Sequence, residues 1–365
     1  MVKKILLALL ITIVAIVLYF IAWPVPIEPV AWTAPPNPGY TGKFAQNERL
    51  KNIEVFKIGD NHGPEDVALD KQGRIYGATH EGNIVRLQPD GSNPENWVNT
   101  GGRPLGIDFD LDGNLIVADA FRGLLSITPD GTIKELATEA DGIPIVYADD
   151  VDTAADGKIY FSDASTKFNA KAIGDTMEAS IYEGVEHAGT GRLLVYDPAT
   201  GKATTLLSGL FFGNGVAVSH DQTYVLVNDT WYYRVIRYWI SGPNKGKSEF
   251  VIENLPAFPD NISQGLNGRF WVALVSPRNP LIDSLAGNPF MRKVIMRMPE
   301  FLQPAAQPYG HIIAIDGDGN VLEDLQDPAG KYPINTSVTG TKDYLYIGSL
   351  VAPGIGRLEK SKAGL

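Results

Sequence analysis

From residue 50 onward, apolar and polar residues alternate in short runs that are separated by turns rich in Asp, Asn and Gly. The segment GPEDVALDKQGRIYGATHEGNIVRLQPDG (63–91) returns in the same frame as RPLGIDFDLDGNLIVADAFRGLLSITPDG (103–131). Alternation with a period of two residues predicts β-strands. Each copy therefore predicts a strand, a turn, a second strand, a short loop, a third strand and a final turn.

Four further copies of this pattern follow. They begin with YADDVD (147–152), FGNGVAV (212–218), FPDNIS (258–263) and INTSVTG (334–340). A period of about 40–50 residues with several short strands per copy is typical of a β-propeller, so six copies predict six blades. The stretch LKNIEVFKI (50–58) is predicted to close the ring as the outer strand of the last blade. A β-sandwich with coincidental spacing is the alternative.

The N-terminus has a different pattern, because ILLALLITIVAIVLYFIAW (5–23) carries no charge. A run of this length predicts a helix that spans a bilayer. Lys3 and Lys4 predict a cytoplasmic N-terminus and an extracytoplasmic body, which is periplasmic in a bacterium and lumenal or extracellular in a eukaryote. A cleaved signal peptide is the alternative, although the flank WPVPIEPVAW lacks a small-x-small site. The predicted regions are an anchor (1–23), a proline-rich semi-rigid spacer (24–45) and an all-β propeller (46–365).

Two long insertions interrupt the propeller pattern, at 166–190 and 276–310. In a propeller the first strand of each copy lines the central channel and begins on one face, which we call the top. The loop after the second strand returns to the top, so both insertions are predicted to roof it, as helical segments. Loops of this length are usually functional. In the second insertion apolar residues at helical spacing predict an amphipathic helix, which either packs on the propeller or touches the membrane over residues 281–300.

Composition narrows the chemistry further. The net charge of −11, without a clustered basic stripe, argues against a nucleic-acid partner. The absence of cysteine excludes disulfides, a thiol nucleophile and thiolate zinc sites. No G-x-S-x-G segment is present, so a serine hydrolase is not expected.

Carboxylate and amide side chains recur where the first strand of a copy begins. The set consists of Glu65, Asp149, Asn214, Asp260 and Asn261. These positions converge above the channel, where several carboxylates would repel one another. Oxygen ligands without His or Cys favour Ca²⁺ over zinc or copper, and Ca²⁺ accepts irregular coordination more readily than Mg²⁺. The sequence therefore predicts a calcium site, the alternative being that each residue only caps its own strand.

The segments GPED, FGNGVAV, LPAFPDN and YLYIGSL resemble the six-bladed calcium-dependent phosphotriesterase superfamily, which includes gluconolactonase, regucalcin and the paraoxonases. ADAFRGLL, GRLLVYDPATG and FPDN resemble its strictosidine synthase-like branch, which includes adipocyte plasma membrane-associated protein. The resemblance covers the chain from residue 50 to the end and extends to the N-terminal anchor. It implies that Glu65, Asn214, Asp260 and Asn261 are calcium ligands. It also implies that Asp149 stands where many members have Asn, and that Asp66 lies near a second, structural calcium.

The sequence departs from these relatives at catalytic positions. The paraoxonase-like His pair is missing, because Leu105 and the Asp119–Ala120 pair stand at the corresponding places. Thr336 occupies the position of the glutamate that strictosidine synthase uses, so that condensation is not expected. The metal and its carboxylates remain, and Asp149 and Asp260 are the candidate bases or nucleophiles.

Four further residues are candidate substrate contacts. Arg103 could hold an acyl or phosphate oxygen, or form a surface ion pair. His62 could shuttle protons or only be solvated. Phe121 and Trp231 could wall an apolar pocket or pack between blades.

The leading expectation is a membrane-anchored, calcium-dependent esterase or lactonase that acts on an apolar small molecule. One alternative is a propeller that uses calcium structurally and binds a partner or lipid without chemistry. A second alternative is a sugar lactonase of the gluconolactonase type.

Overall fold

The computed structural model describes all 365 residues. Six four-stranded antiparallel sheets account for 24 of its 26 strands, and each sheet is one blade around a central channel. The six-bladed β-propeller predicted from the repeats is therefore confirmed.

The strands of each blade follow one another along the chain, from the channel outward, except in blade 6. Blade 1 contains β2 (Val67–Leu69), β3 (Ile75–Ala78), β4 (Asn83–Leu87) and β5 (Glu95–Asn99). Blade 2 contains β6 (Pro104–Phe109), β7 (Leu115–Asp119), β8 (Gly123–Ile127) and β9 (Ile133–Ala137). A short hairpin follows, made of β10 (Glu139–Ala140) and β11 (Ile143–Pro144). Blade 3 contains β12 (Ala148–Thr153), β13 (Ile159–Asp163), β14 (Gly191–Asp197) and β15 (Lys202–Leu210).

The second half of the ring repeats this arrangement. Blade 4 contains β16 (Gly213–Val218), β17 (Tyr224–Asp229), β18 (Arg234–Trp239) and β19 (Ser248–Ile252). Blade 5 contains β20 (Ala257–Gln264), β21 (Phe270–Pro277), β22 (Gly310–Ile315) and β23 (Val321–Asp327). Blade 6 contains β24 (Asn335–Gly340), β25 (Tyr344–Ser349), β26 (Gly354–Glu359) and, as its outer strand, β1 (Glu54–Lys57).

Ring closure joins the two ends of the propeller sequence. The strand β1 pairs with β26 in antiparallel register, with Glu54 opposite Arg357. Their side chains form an ion pair at 2.8 Å. The predicted role of residues 50–58 as the outer strand of the last blade is thus confirmed.

The inner strands are buried on both faces, so their sequences do not alternate cleanly. All six residues of β16 are buried, for example. Close approach of neighbouring inner strands requires glycine at some positions. A Cβ at Gly215 would overlap the backbone of Asp260, Asn261 and Ile262 in the next blade. Glycine at 215 therefore brings the start of blade 4 against the start of blade 5.

Helices occupy the N-terminus and the two insertions. The N-terminal helix α1 (Val2–Ala22) has no buried residue and is the one helix long and apolar enough to cross a membrane. The first insertion contains α2 (Ala170–Ile173) and α3 (Thr176–Glu186). The second contains α4 (Pro280–Ser284) and α5 (Pro289–Met296). Single 3-10 turns occur at Gly42–Phe44, Thr230–Tyr232, Glu300–Leu302 and Lys360–Ala363.

The single amphipathic helix expected in the second insertion is in fact two short helices. The side chain of Asn288 caps α5 by accepting a hydrogen bond from the Met291 N–H, and Pro289 follows at the first helical position. Proline has no N–H to continue a helix from the preceding turn, so the residues before it belong to a separate helix.

The proline-rich segment 24–45 lies against both insertions. The N–H of Val30 donates to the carbonyl of Glu186 at 2.8 Å, and that of Trp32 donates to the carbonyl of Ala286 at 3.1 Å. The Trp32 indole stacks on the ring of His187 with 3.8 Å between centroids. This segment therefore joins the end of α3 to the turn between α4 and α5.

Candidate functional site

A roofed cavity of about 350 Å³ lies on the top face above the channel. Its floor is formed by four polar residues from the starts of inner strands, namely Glu65, Asp149, Asn214 and Asp260. Its walls are mostly apolar and include Leu105, Phe212, Trp231 and Phe258. The roof comes from both insertions, as the sequence predicted, with Met177 and Ile181 from one side and Ile282 from the other.

A repeated β-bulge turns the polar residues toward the channel. In β12 the pairing register shifts between Ala148 and Val151, and in β16 it shifts between Gly213 and Val216. The strands β6, β20 and β24 show corresponding shifts at their starts. A bulge places extra residues outside the ladder and re-aims their side chains. Consecutive residues such as Asp260 and Asn261 can therefore both serve the top of the channel.

The predicted metal-ligand residues are brought together and joined by hydrogen bonds. The Asn214 side-chain amide donates to Asp260 Oδ1 at 2.5 Å. The Asn261 side-chain amide donates to Glu65 Oε1 at 2.9 Å. These bonds link blade 4 to blade 5 and blade 5 to blade 1. All four side chains are buried.

Several oxygens in this group have no hydrogen-bond donor. They are Glu65 Oε2, Asn214 Oδ1 and Asn261 Oδ1, all buried. Buried polar atoms are nearly always paired, and leaving one unpaired is costly. No three carboxylate or histidine side chains are arranged to hold an ion by themselves. A mixed set of carboxylate and amide oxygens is nevertheless the type of ligand set that Ca²⁺ takes, so these side chains could hold that ion.

The raised pKa values of the floor carboxylates also favour a cation at this place. Burial, followed by the charges of Asp260 and Asp149, raises the pKa of Glu65 well above its usual range. Burial and then Asp260 also raise the pKa of Asp149, while the Arg103 guanidinium opposes this shift. Burial raises the pKa of Asp260 to about 7, against the hydrogen bond from Asn214. A cation at this point would favour the ionised carboxylates.

Asp66 and Asp150 form a second layer whose oxygens are already engaged. Asp66 accepts hydrogen bonds from the backbone N–H groups of Val67 at 2.7 Å and Ile107 at 2.9 Å. Asp150 accepts one from the Val216 N–H at 2.7 Å, in the neighbouring blade. Both carboxylates therefore hold adjacent inner strands in register. The second calcium implied near Asp66 stays a prediction.

The four candidate substrate contacts are placed differently. Trp231 lines the cavity. Arg103 is buried and forms no ion pair, so the alternative that it makes a surface ion pair is wrong. Its Nη1 donates to the Pro104 carbonyl at 3.0 Å. Phe121 packs against the main core outside the cavity lining. His62 is half exposed, pairs with Glu81 and also lies outside the lining.

Sequence reasoning missed three residues of the cavity. Phe212 and Phe258 belong to its apolar wall, and Tyr147 lies beside the floor. The Tyr147 hydroxyl donates to the carbonyl of Thr176 at 2.8 Å, which connects the floor to the start of α3. Position provided a usable signal, because Phe212 and Phe258 each lie two residues before a predicted ligand, as Tyr147 does before Asp149.

Comparison with known proteins identifies the family. The family model described as strictosidine synthase matches residues 149–243, and the model for the strictosidine synthase-like N-terminal region matches residues 42–87. Strictosidine synthase-like 6 of Arabidopsis thaliana is 37% identical over 326 residues, which cover 87% of this chain and 84% of that protein. The chain belongs to the strictosidine synthase-like family.

Other members and solved structures agree with this assignment. Adipocyte plasma membrane-associated protein of Rattus norvegicus is 32% identical over 356 residues, or 91% of this chain and 93% of that protein. A gluconolactonase structure from Xanthomonas campestris has a TM-score of 0.62 at 15% identity, covering 91% of this chain and 98% of its own. A calcium-binding regucalcin structure from Agrobacterium tumefaciens has a TM-score of 0.58 at 15% identity, and the match covers 84% of this chain and 93% of that chain. This family member therefore shares the gluconolactonase and regucalcin propeller fold.

Proposed function

We propose that the protein is a membrane-anchored, calcium-dependent hydrolase of carboxylic esters or lactones. The observation that carries the proposal is a set of buried oxygens that accept no hydrogen bond, on Glu65, Asn214 and Asn261. These oxygens lie beneath a cavity with apolar walls. Acceptors without donors suit a cation, and apolar walls suit an apolar substrate. Two structures with this fold are named as a calcium-binding regucalcin and a gluconolactonase, which supports the proposed calcium site and the proposed lactone substrate.

The floor residues have separate roles in this proposal. Glu65, Asp149, Asn214, Asp260 and Asn261 would hold Ca²⁺. When bound, the ion would supply Lewis-acid polarisation of the substrate carbonyl oxygen. Asp149 lines the cavity and accepts no hydrogen bond, so its carboxylate would take the proton from the attacking water as general base. It would return that proton to the alkoxide oxygen as the acyl C–O bond breaks. Asp260, which is held by Asn214, is the second candidate for this role.

The remaining cavity residues would bind the substrate and exclude bulk water. The aromatic side chains of Phe212, Trp231 and Phe258 would contact an acyl or aryl group. The Tyr147 hydroxyl would keep α3 over the floor through its bond to Thr176. Exclusion of water from the site strengthens every electrostatic interaction inside it.

The direct test is hydrolysis by the purified full chain of aryl esters and lactones of varied chain length, with calcium and after chelation. Asp149→Asn keeps an oxygen ligand but removes the base. It should lower kcat about 100-fold or more, the usual contribution of a general base. Asp112→Asn, in an exposed turn on the opposite face, should leave kcat unchanged. Absence of calcium-dependent hydrolysis across the whole series would refute the proposal.

One observation favours a second candidate, a propeller that binds calcium without catalysis. No histidine lines the cavity, and Leu105 stands where paraoxonases have one of their pair. In this case calcium titration would show binding to the floor while no ester or lactone is consumed. A gluconolactonase-type sugar lactonase is less consistent with the apolar walls, because a polar substrate would need more hydrogen-bonding partners.

The membrane part of the proposal rests on α1. This helix has 21 residues, which span about 30 Å, and none of them is buried against the protein. We propose that it is an uncleaved single-pass anchor, with Lys3 and Lys4 in the cytoplasm and the propeller outside it. Intact-mass measurement of the mature protein tests this point, because a cleaved signal peptide would remove residues 1–23.

A further inference from the structure

The end of the anchor helix is bound directly to the roof of the cavity. Arg297, which follows α5, donates from Nε to the Trp23 carbonyl at 2.6 Å and from Nη1 to the Phe20 carbonyl at 3.0 Å. The Tyr19 hydroxyl donates to the Arg297 carbonyl at 3.0 Å. The last carbonyls of a helix lack intrahelical partners, and a buried guanidinium supplies donors for them. The roof is thereby fixed at the level where α1 ends.

The residues just after Arg297 face two ways. Glu300 and Gln303 line the cavity. Between them, Phe301 is 84% exposed and Leu302 is 58% exposed. Four residues of chain reach at most about 14 Å, so Phe301 lies within about that distance of Arg297, whose side chain contacts the last turn of α1. Residues 300–303 therefore form part of the cavity wall on one side and an exposed apolar surface on the other.

A bilayer that contains α1 explains this exposed pair. The uncharged part of α1, which begins at Ile5, is long enough to match the hydrocarbon thickness, so its end at Ala22 lies at the membrane surface. Large apolar side chains next to such an end enter the boundary between headgroups and acyl chains. Trp23, which is 60% exposed and belongs to a residue type enriched at this boundary, directly follows the helix.

We propose that residues 297–306 form a membrane lip, in which Phe301 and Leu302 insert into the bilayer and the cavity receives its substrate from the lipid. The proposal rests on the proposed hydrolase function and names its substrate class. That class is a membrane-dissolved, lipophilic carboxylic ester or lactone, which enters beside Glu300 and Gln303 without crossing water. The apolar wall described above suits such a molecule.

Depth measurement tests the lip independently of any activity. The chain has no cysteine, so a nitroxide attached to Phe301→Cys is a unique label in the full chain. In phosphatidylcholine vesicles this label should be relaxed by lipid-dissolved oxygen and shielded from a water-soluble nickel complex. The matched label at Leu111→Cys, in an exposed turn on the opposite face, should show the reverse. A label at 301 that is as accessible to nickel as the label at 111 overturns the proposal. Shielding from both reagents, as in a contact between two copies of the chain, also overturns it.

Kinetics test the substrate route. Phe301→Ser/Leu302→Ser should reduce kcat/KM about tenfold for a long-chain ester dissolved in the vesicles, since two large apolar groups lose their lipid contacts. The same variant should retain its activity on a short-chain, water-soluble ester. Leu111→Ser/Leu266→Ser removes two exposed apolar side chains from the other face and should change neither rate. Equal losses on both esters, or no loss on either, overturn the lipid route. If the label at 301 lies in lipid but the protein hydrolyses no ester or lactone, the hydrolase function is refuted while the insertion of the lip into the bilayer stands.

Discussion

Gly184 allows α3 to lie directly against the cavity wall, and its replacement by alanine tests that fit. A Cβ at position 184 would overlap three ring atoms of Trp231, namely Cδ2, Cε2 and Cζ2. Two carbon atoms pack at about 3.5–4.0 Å, so α3 or the indole would have to move by about 1 Å or more. Trp231 is part of the cavity wall and α3 is part of the roof. The substitution therefore acts on the site without removing any polar group.

The expected cost follows from two opposing effects. Overpacking of a well-packed interior costs about 1–3 kcal/mol, and contact with a rigid ring belongs at the upper end of that range. Alanine is more favourable than glycine inside a helix by about 1 kcal/mol. The net change in the free energy of unfolding should be a loss of about 1–2 kcal/mol. The displaced roof should also raise KM for apolar esters.

Urea unfolding of Gly184→Ala and of a matched variant measures this loss. In Gly287→Ala the new Cβ would approach only the Trp32 carbonyl oxygen, at 3.9 Å, and the change should stay within about 0.5 kcal/mol. Trp231→Leu removes the overlapping ring. The double variant Gly184→Ala/Trp231→Leu should therefore be less destabilised than the sum of the single variants. Strict additivity, or a Gly184→Ala protein as stable as the wild type, would refute the reasoning.

Three further outcomes are expected. Chelation of calcium should lower the unfolding temperature, since an ion at about 100 times its Kd stabilises by about 2.7 kcal/mol, and an unchanged Tm would contradict the site. Burial lowers the pKa of His187 to about 3, so below pH 6.5 only the unfolded chain gains this proton. The free energy of unfolding should fall by up to about 1.4 kcal/mol per unit as the pH drops from 6.5 toward 3, and urea titrations should show a flatter slope for His187→Phe. Arg192→Met leaves the Asp163 carboxylate buried without its partner at 2.6 Å and should cost about 3–5 kcal/mol in urea unfolding, whereas Arg192→Met/Asp163→Asn should recover part of that loss.

The number of blades and the ring closure could be predicted because each depends on local pattern. Every copy carries its own series of short strands and its own turn residues, so strand order follows from sequence order. The convergence of Glu65, Asn214 and Asp260 followed from the same logic, since the starts of inner strands meet at one face. The family resemblance added the residue-by-residue prediction of the calcium ligands.

The bulges and the contacts of the N-terminal segment could not be predicted from the sequence. A bulge depends on the pairing of two strands, and the doublet Asp149–Asp150 looks the same in a regular strand. Contacts such as Val30 with Glu186 join positions separated by more than 150 residues, and no periodicity marks them. The break in the second insertion was visible, because Asn288 and Pro289 are helix-start signals within the predicted helix.

A single arginine connects the segment that follows α1 to both insertions that roof the cavity. Arg292 in α5 donates from Nη1 to the Val185 carbonyl at 2.7 Å in the first insertion and from Nη2 to the Ala286 carbonyl at 3.2 Å in the second. Its Nη2 also donates to the Val30 carbonyl in the segment that leads to α1. The planar guanidinium presents several donors in a fixed geometry, which the single ammonium of lysine cannot do. Movement of α1 relative to the propeller would therefore strain the same bonds that hold the roof above the floor, which couples the position of α1 to the candidate calcium site.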